Sequence, residues 1–360
     1  MASSPTTVPT ITTPLTRLLN IKHPVLLAGM AHATTPLLCA TVSNAGGLGC
    51  LGGLGYTPTQ LRALLAELRS LLDSPNLPFG VDLALPQVGD GARKTNHDYT
   101  HGQLDELVEV TIEAGAKLFV SAVGIPPSRT IKRLHEAKIL VMNMVGAPKH
   151  AERAFEAGVD IVCAQGSEGG GHTGDIPTCI LIPAVVDIAK RYRSPLTGEP
   201  ALVVAAGGIY DGRGLASALM MGATGVWAGT RFVASEEAGA SSMHKKAVVT
   251  AGFEDTARTL VVSGRPLRVR TNDYIREWEC ERQEEMKRLL EAGIVPMQKD
   301  LDEGSDNIEV DMPFLMGQVA GIIGDIKPAG VIVEEMVEEA VETLRQGWGY
   351  INKIGKDSKL

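Results

Sequence analysis

Residues 201–231 read ALVVAAGGIYDGRGLASALMMGATGVWAGTR, and their punctuation decides the fold. The apolar run 201–205 leads into Gly207-Gly208, Asp211-Gly212-Arg213-Gly214 opens a helical stretch, and a second run, 225–228, leads into Gly229-Thr230. Short runs that are apolar almost throughout suit strands buried on both faces of a parallel sheet. Glycine lets backbone N–H groups approach a phosphate, and the N-terminus of a following helix adds a favourable dipole. Two such loops after the seventh and eighth strands of a (β/α)8 barrel form that fold's recurrent phosphate site.

Upstream, six more runs have the same character: 25–28, 48–51, 79–83, 118–121, 139–143 and 161–164. Amphipathic stretches separate them. Residues 59–72 place Leu61, Leu64, Leu65, Leu68, Leu71 and Leu72 on one side, and 104–113 follows Gly102. Pro127 and Pro148 stand where helices start, and Gly115 and Gly158 close Glu-Ala-Gly helix ends. Eight strand–helix alternations predict an α/β fold, a TIM-type (β/α)8 barrel, over 14–235, preceded by a flexible arm at 1–13. After Ser235 the pattern changes to one long charged helix over 275–292, an acidic loop over 299–311, and a last amphipathic helix over 331–345. The expected organisation is a C-terminal helical cap at 236–312, a segment at 313–350 packing back on the barrel, and a tail at 351–360.

The bulk numbers exclude several classes. The chain has 360 residues, 44% of them hydrophobic and 21% charged, enough for a large core. A net charge of −8 without a basic stripe argues against a nucleic-acid partner. No run reaches membrane-spanning length, so no membrane partner is expected. Cys39, Cys50, Cys163, Cys179 and Cys280 form no CxxC pair and read as reduced thiols. There is no HExxH or GxSxG pattern, hence no metal site is expected. The ending Ser358-Lys359-Leu360 matches the peroxisomal address if the source is a eukaryote; otherwise a cytoplasmic location is expected. A homo-oligomer is left open.

Chemistry is expected where barrel strands end. Gly207, Gly208, Gly229 and Thr230 are the phosphate candidates, with Trp227 and Ala228 leading into the second loop. The sixth run leads into Gln165-Gly166-Ser167-Glu168-Gly169-Gly170-Gly171-His172, a loop too rich in glycine to be kept without purpose. Gln165 donates and accepts, as a flavin pyrimidine edge requires. His172 is the acid–base candidate, since imidazole titrates near neutrality. Glu168 is equally a solvated carboxylate. Ala28, Gly29 and Met30 end the first run, where backbone is able to face an aromatic ring. Asp82 and Asn143 end the third and fifth, with turn or cap roles as alternatives. His32 reads equally as site or surface, and the polar loop 89–100 as a cover or a solvated loop.

These residues resemble the nitronate monooxygenase family, formerly 2-nitropropane dioxygenases. The resemblance rests on Ala164-Gln165-Gly166 with Gly170-Gly171-His172, on Ala205-Ala206-Gly207-Gly208-Ile209 with Asp211-Gly212-Arg213-Gly214, and on Gly229-Thr230-Arg231-Phe232. It implies FMN as cofactor, a small-molecule substrate and O2 as reactants, and oxidation of alkyl nitronates to a carbonyl compound and nitrite. It further implies that Gln165, Gly170, Gly208 and residues 227–230 contact FMN, and that His172 holds or deprotonates the substrate. The family often has Asn at the position of Asp82 and Gln at that of Trp227. The alternatives are an NAD(P)H-dependent FMN reductase of enoyl thioesters or quinones and a non-catalytic flavin-binding protein.

Overall fold

The computed structural model describes residues 9–304 and 314–351. Its strands are β1 (Val25–Leu27), β2 (Gly49–Gly52), β3 (Phe79–Ala84), β4 (Leu118–Ala122), β5 (Leu140–Val145), β6 (Ile161–Gln165), β7 (Gly171–His172), β8 (Leu202–Ala206), β9 (Gly225–Ala228), β10 (Thr256–Thr259) and β11 (Leu267–Arg270). Eight of these make one parallel sheet in the order β1-β9-β8-β6-β5-β4-β3-β2. A parallel bridge between Leu26 and Leu48 closes it, with Leu27 N–H donating to Leu48 O (2.9 Å) and Leu48 N–H to Val25 O (3.0 Å). The fold is a TIM-type barrel, and all eight expected strands are present.

Alternation along each strand divides the core in two. Leu26, Leu118, Val120, Leu140, Met142, Ile161, Cys163 and Trp227 fill the interior. Val25, Val81, Phe119, Val141, Val162, Val203 and Val226 face the helices outside. The helix Pro14–Leu19 adds Leu15 and Leu19 to the interior cluster and so plugs the N-terminal end. Its N-cap, Thr13, is buried and donates from Oγ1 to Thr224 O (2.6 Å), so the segment before the barrel is anchored there. Residues 1–8 of the expected arm, and the terminal Ser358-Lys359-Leu360, lie outside the described residues.

The outer ring is completed by the helix Ala329–Gly349, which packs between Gly212–Met220 and Pro36–Asn44 as the eighth barrel helix. A Cβ on Gly212 would sit 2.4 Å from Ala340 N, so glycine permits this close crossing. Between β9 and that helix the chain makes a long excursion over the C-terminal end of the barrel. It contains helices, as expected, and also the antiparallel pair β10-β11, which β7 from the loop after β6 extends to three strands. The long helix expected over 275–292 is two helices, Asp273–Cys280 and Gln283–Ala292. At the break Arg282 lies 3.5 Å from the centre of the Trp278 ring and pairs with Glu285, while Trp278 and Met286 enter one apolar cluster. Part of the acidic stretch expected as loop is the helix Pro296–Asp302, started by Pro296. No helix among the described residues is long and apolar enough to cross a membrane.

Candidate active site

Asp82 and Gln165 continue the inward parity of β3 and β6 to the C-terminal mouth of the barrel. Asp82 is buried, and its Oδ1 has no hydrogen-bond partner among the described residues. Burial without a cation raises its pKa to about 8, so the carboxyl is largely protonated at neutral pH. Gly29 lies directly against it: a Cβ there would come within 2.4 Å of Asp82 Cβ. Gln165 donates from Nε2 to Gly170 O (3.3 Å). The ends of β1 and β9 are joined by Ala28 N–H donating to Ala228 O (2.9 Å), and Met30 Sδ lies 3.4 Å from where a Cβ of Gly229 would be. Trp227 is buried in the barrel interior beneath this mouth.

The two expected phosphate loops lie side by side on adjacent strands β8 and β9. Gly207 (φ +90°) and Gly208 (φ +72°) are in the left-handed region, which turns the chain sharply after β8. Among the described residues, the N–H groups of Gly208, Gly229 and Thr230 donate to no protein acceptor. Three unsatisfied donors at one place suit an anion. The helix Gly212–Met220 contributes less than its position suggests, because Asp211 accepts from Gly214 N–H and Glu339 from Gly212 N–H. Its N-terminal charge is therefore already met by carboxylates. A cavity of about 530 Å3 opens beside Gly207 and Gly208, bounded also by Thr178, Phe253 and Gln318.

The loop after β6 is tied down rather than flexible. Gly166 N–H donates to Ala206 O, Ser167 N–H to Ile176 O, and Thr173 Oγ1 to Gly166 O. Arg268 donates twice to Ser167 O, at 3.0 and 3.1 Å. Gly171 and His172 form β7 by pairing with Arg268 and Leu267 of β11. Glu168 accepts from Thr178 N–H (3.0 Å) and Oγ1 (2.9 Å), at the first residue of the helix Thr178–Ala189.

His172 Nε2 lies 3.0 Å from Ser263 Oγ, while Nδ1 has no protein partner among the described residues. Burial, and secondarily the Arg265 guanidinium, lowers the imidazole pKa to about 4. His172 is therefore neutral at pH 7. Asn143 stands apart from this group: it shares the outward parity of Val141 and Val145 and donates to Ser121 O (3.0 Å) and Gly124 O (2.7 Å), pinning the loop after β4. His32 has φ +56° and meets the Tyr56 ring edge-on at 5.8 Å. The polar loop after β3 reaches the excursion above the barrel, where Arg265 donates to Asn96 Oδ1 (3.1 Å) and Lys94 to Glu291 O (2.8 Å). Among the described residues no cluster of His, Cys, Asp or Glu is arranged to hold a metal ion, and all five cysteines are unpaired.

Against known proteins, the profile of the family described as Nitronate monooxygenase matches residues 12–339. The chain belongs to the nitronate monooxygenase family. It is accordingly a flavin-dependent oxidoreductase. A Mycobacterium tuberculosis relative, (3aS,4S,5R,7aS)-5-hydroxy-7a-methyl-1-oxo-octahydro-1H-indene-4-carboxyl-CoA dehydrogenase, is 31% identical, over 92% of this chain and 97% of its own. The structure of FabK from Thermotoga maritima is 36% identical with a TM-score of 0.74, covering 95% of this chain and 100% of that one. That of nitroalkane oxidase from Streptomyces ansochromogenes is 27% identical with a TM-score of 0.75, covering 93% and 99%.

Several residues at this nitronate monooxygenase family site escaped the sequence reading. Ser263 and Arg265 come from a turn far along the chain, whose signal was the Gly264 and Pro266 punctuation alone. Gly317 N–H donates to Thr230 Oγ1 (2.9 Å) and Gln318 N–H to Glu168 O (3.0 Å), so this late segment closes over the glycine loops. A glycine between Met316 and Gln318 was the visible trace of that approach.

Proposed function

We propose that this protein binds FMN at the barrel mouth and oxidises alkyl nitronates with O2 to a carbonyl compound and nitrite. FMN supplies the electron acceptance from substrate and the subsequent reaction with O2. The residues fit the group on two counts: the unsatisfied N–H donors of Gly208, Gly229 and Thr230, and the orphaned, buried Asp82 Oδ1 beside Gly29. Gly166, Gly170 and Gly171 hold backbone close to the mouth, and Gln165 offers its amide to the polar edge of the ring.

The observation that carries the nitronate reading is the seat of His172, whose Nε2 lies 3.0 Å from Ser263 Oγ and whose Nδ1 has no protein partner among the described residues. At pH 7 its imidazole lies about three units above a pKa of about 4, so protonating it costs about 4 kcal/mol. Such a group is a poor base for pulling a proton from carbon. A nitronate has already lost that proton and needs only to be held, which a neutral imidazole donor does. Ser263, 3.0 Å from Nε2, orients the ring and leaves Nδ1 for substrate.

The thioester-reductase reading is supported by the Mycobacterium tuberculosis relative, a dehydrogenase named for a carboxyl-CoA compound. Anaerobic mixing of the purified protein with propionate 3-nitronate or with NADH separates the two. Rapid bleaching by the nitronate and slow bleaching by NADH is expected; the reverse result transfers the function to the reductase reading. Bound FMN reduced by neither donor supports the non-catalytic reading. The named relatives are bacterial, and nothing in them supports a peroxisomal location.

A further inference from the structure

Two carboxylates are buried among the described residues, Asp82 and Asp160, and their surroundings differ. Asp160 is fully met: Ser194 Oγ donates to Oδ1 (2.6 Å), Val141 N–H donates to Oδ2 (2.8 Å), and His135 Nε2 lies 2.9 Å from Oδ2. Asp82 Oδ1 meets no donor. A buried polar atom left unpaired calls for an explanation. Asp82 is also confined. Its register neighbours are Gly52 of β2 and Val120 of β4, and the segment after β1 rests on this layer. A Cβ on Gly29 would lie 2.4 Å from Asp82 Cβ and 2.7 Å from Oδ2, and one on Gly52 would lie 2.8 Å from Met30 N. Glycine at both positions permits that approach.

No charge faces this carboxyl from the elements packed on it. Gly29 after β1 and Val120 of β4 do not ionise. The Cys50 thiol of β2 and the Cys163 thiol of β6 feel the Asp82 charge, and burial keeps both protonated. The state of Asp82 is thus open to whatever charge arrives at the mouth. We propose that Asp82 is a proton-coupled tuning residue of the flavin: its ionisation lowers the affinity of bound FMN for electrons, and reduction of FMN draws a proton onto its carboxyl. This rests on the placement of FMN at the barrel mouth. Two electrons and one proton taken up by FMN at alkaline pH leave it negatively charged. That charge favours the neutral acid, so a second proton passes from solvent to the Asp82 carboxylate. The O–H bond formed there breaks again when the electrons leave. By linkage, the proton on Asp82 favours reduction to the same degree. An asparagine at this position has no proton to exchange.

Spectroelectrochemical titration of the FMN-loaded full chain, with mediators and no substrate, reads the coupling without turnover. Each proton taken up with two electrons lowers the midpoint potential by about 30 mV per pH unit. Below about pH 8 Asp82 is protonated before and after reduction, so parent and Asp82→Asn should run parallel. Above it the parent should fall more steeply by one such increment. The Asp82→Asn flavin then becomes about tenfold the stronger two-electron acceptor for each pH unit. Reduced-minus-oxidised infrared spectra of the parent above pH 8 should show the C=O band of a newly protonated carboxyl. If Asp82→Asn does not hold FMN, that band decides by itself. Parallel potentials over the whole range, or a parent without the band, overturn the proposal and leave FMN where it is. A parent that takes up no FMN overturns the placement of FMN, and the proposal with it.

Discussion

Replacing Asp82 by asparagine isolates the energetic consequence of a carboxyl buried without a partner. In the folded chain this group keeps its proton up to about pH 8, against an ordinary value of 3.8. Folding therefore takes up a proton between those two values, and stability must fall as pH rises through that window. Each unit costs about 1.4 kcal/mol, so about 3 kcal/mol is lost between pH 5 and pH 7.5. Asparagine does not titrate and is free of this loss. Its amide is itself buried beside Gly29 without an evident partner, a penalty of about 1–3 kcal/mol at every pH. The difference between the two proteins should thus shift by about 3 kcal/mol in favour of Asp82→Asn on going from pH 5 to pH 7.5. Urea denaturation of the flavin-free proteins at the two pH values measures it. Parallel pH profiles, agreeing within about 0.5 kcal/mol, would falsify the assignment of Asp82 as a protonated, unpaired carboxyl.

His172 titrates with the opposite sense: its folded pKa of about 4 lies below the ordinary 6.5, so stability is lost as pH falls through that window. His172→Gln should remove up to about 3 kcal/mol of acid sensitivity between pH 7 and pH 4 in denaturation curves, and a variant as acid-sensitive as the parent contradicts the depressed pKa. Gly208→Ala places a side chain at φ +72° and 3.3 Å from Glu168 Cβ, and should weaken FMN binding at least tenfold by fluorescence titration while costing about 1–2 kcal/mol of stability. Unchanged FMN affinity in that variant removes this loop from the phosphate site. Asp325→Ala leaves the buried Arg231 without its carboxylate and should destabilise the protein by about 1–3 kcal/mol in thermal unfolding; a loss under about 0.5 kcal/mol means solvent satisfies Arg231.

The barrel was legible because strands buried on both faces advertise themselves by composition. The eighth run, 225–228, coincides with β9, and glycine after each of the last two strands marks where backbone must turn. The inward parity of Gln165 follows from counting along β6. What the sequence hides are pairings between distant segments. Gly171 and His172 look like loose loop until Leu267 and Arg268 supply the strand beside them. Ser263 and Arg265 acquire meaning only because that same strand brings their turn over the mouth. The partners of Glu168 at Thr178 lie ten residues later, and those of Asn143 lie on β4 and the loop after it, so neither contact is visible locally. The two-helix break at Cys280–Gln283 likewise depends on Arg282 finding the Trp278 ring.

The central claim is that a neutral His172 beside FMN receives a nitronate. Anaerobic stopped-flow reduction of the yellow protein by propionate 3-nitronate, followed for the parent and for His172→Asn, addresses it directly. The account predicts fast bleaching in the parent, slowed at least about a hundredfold by the substitution, with NADH bleaching slow in both. Fast bleaching by NADH with no response to the nitronate contradicts it.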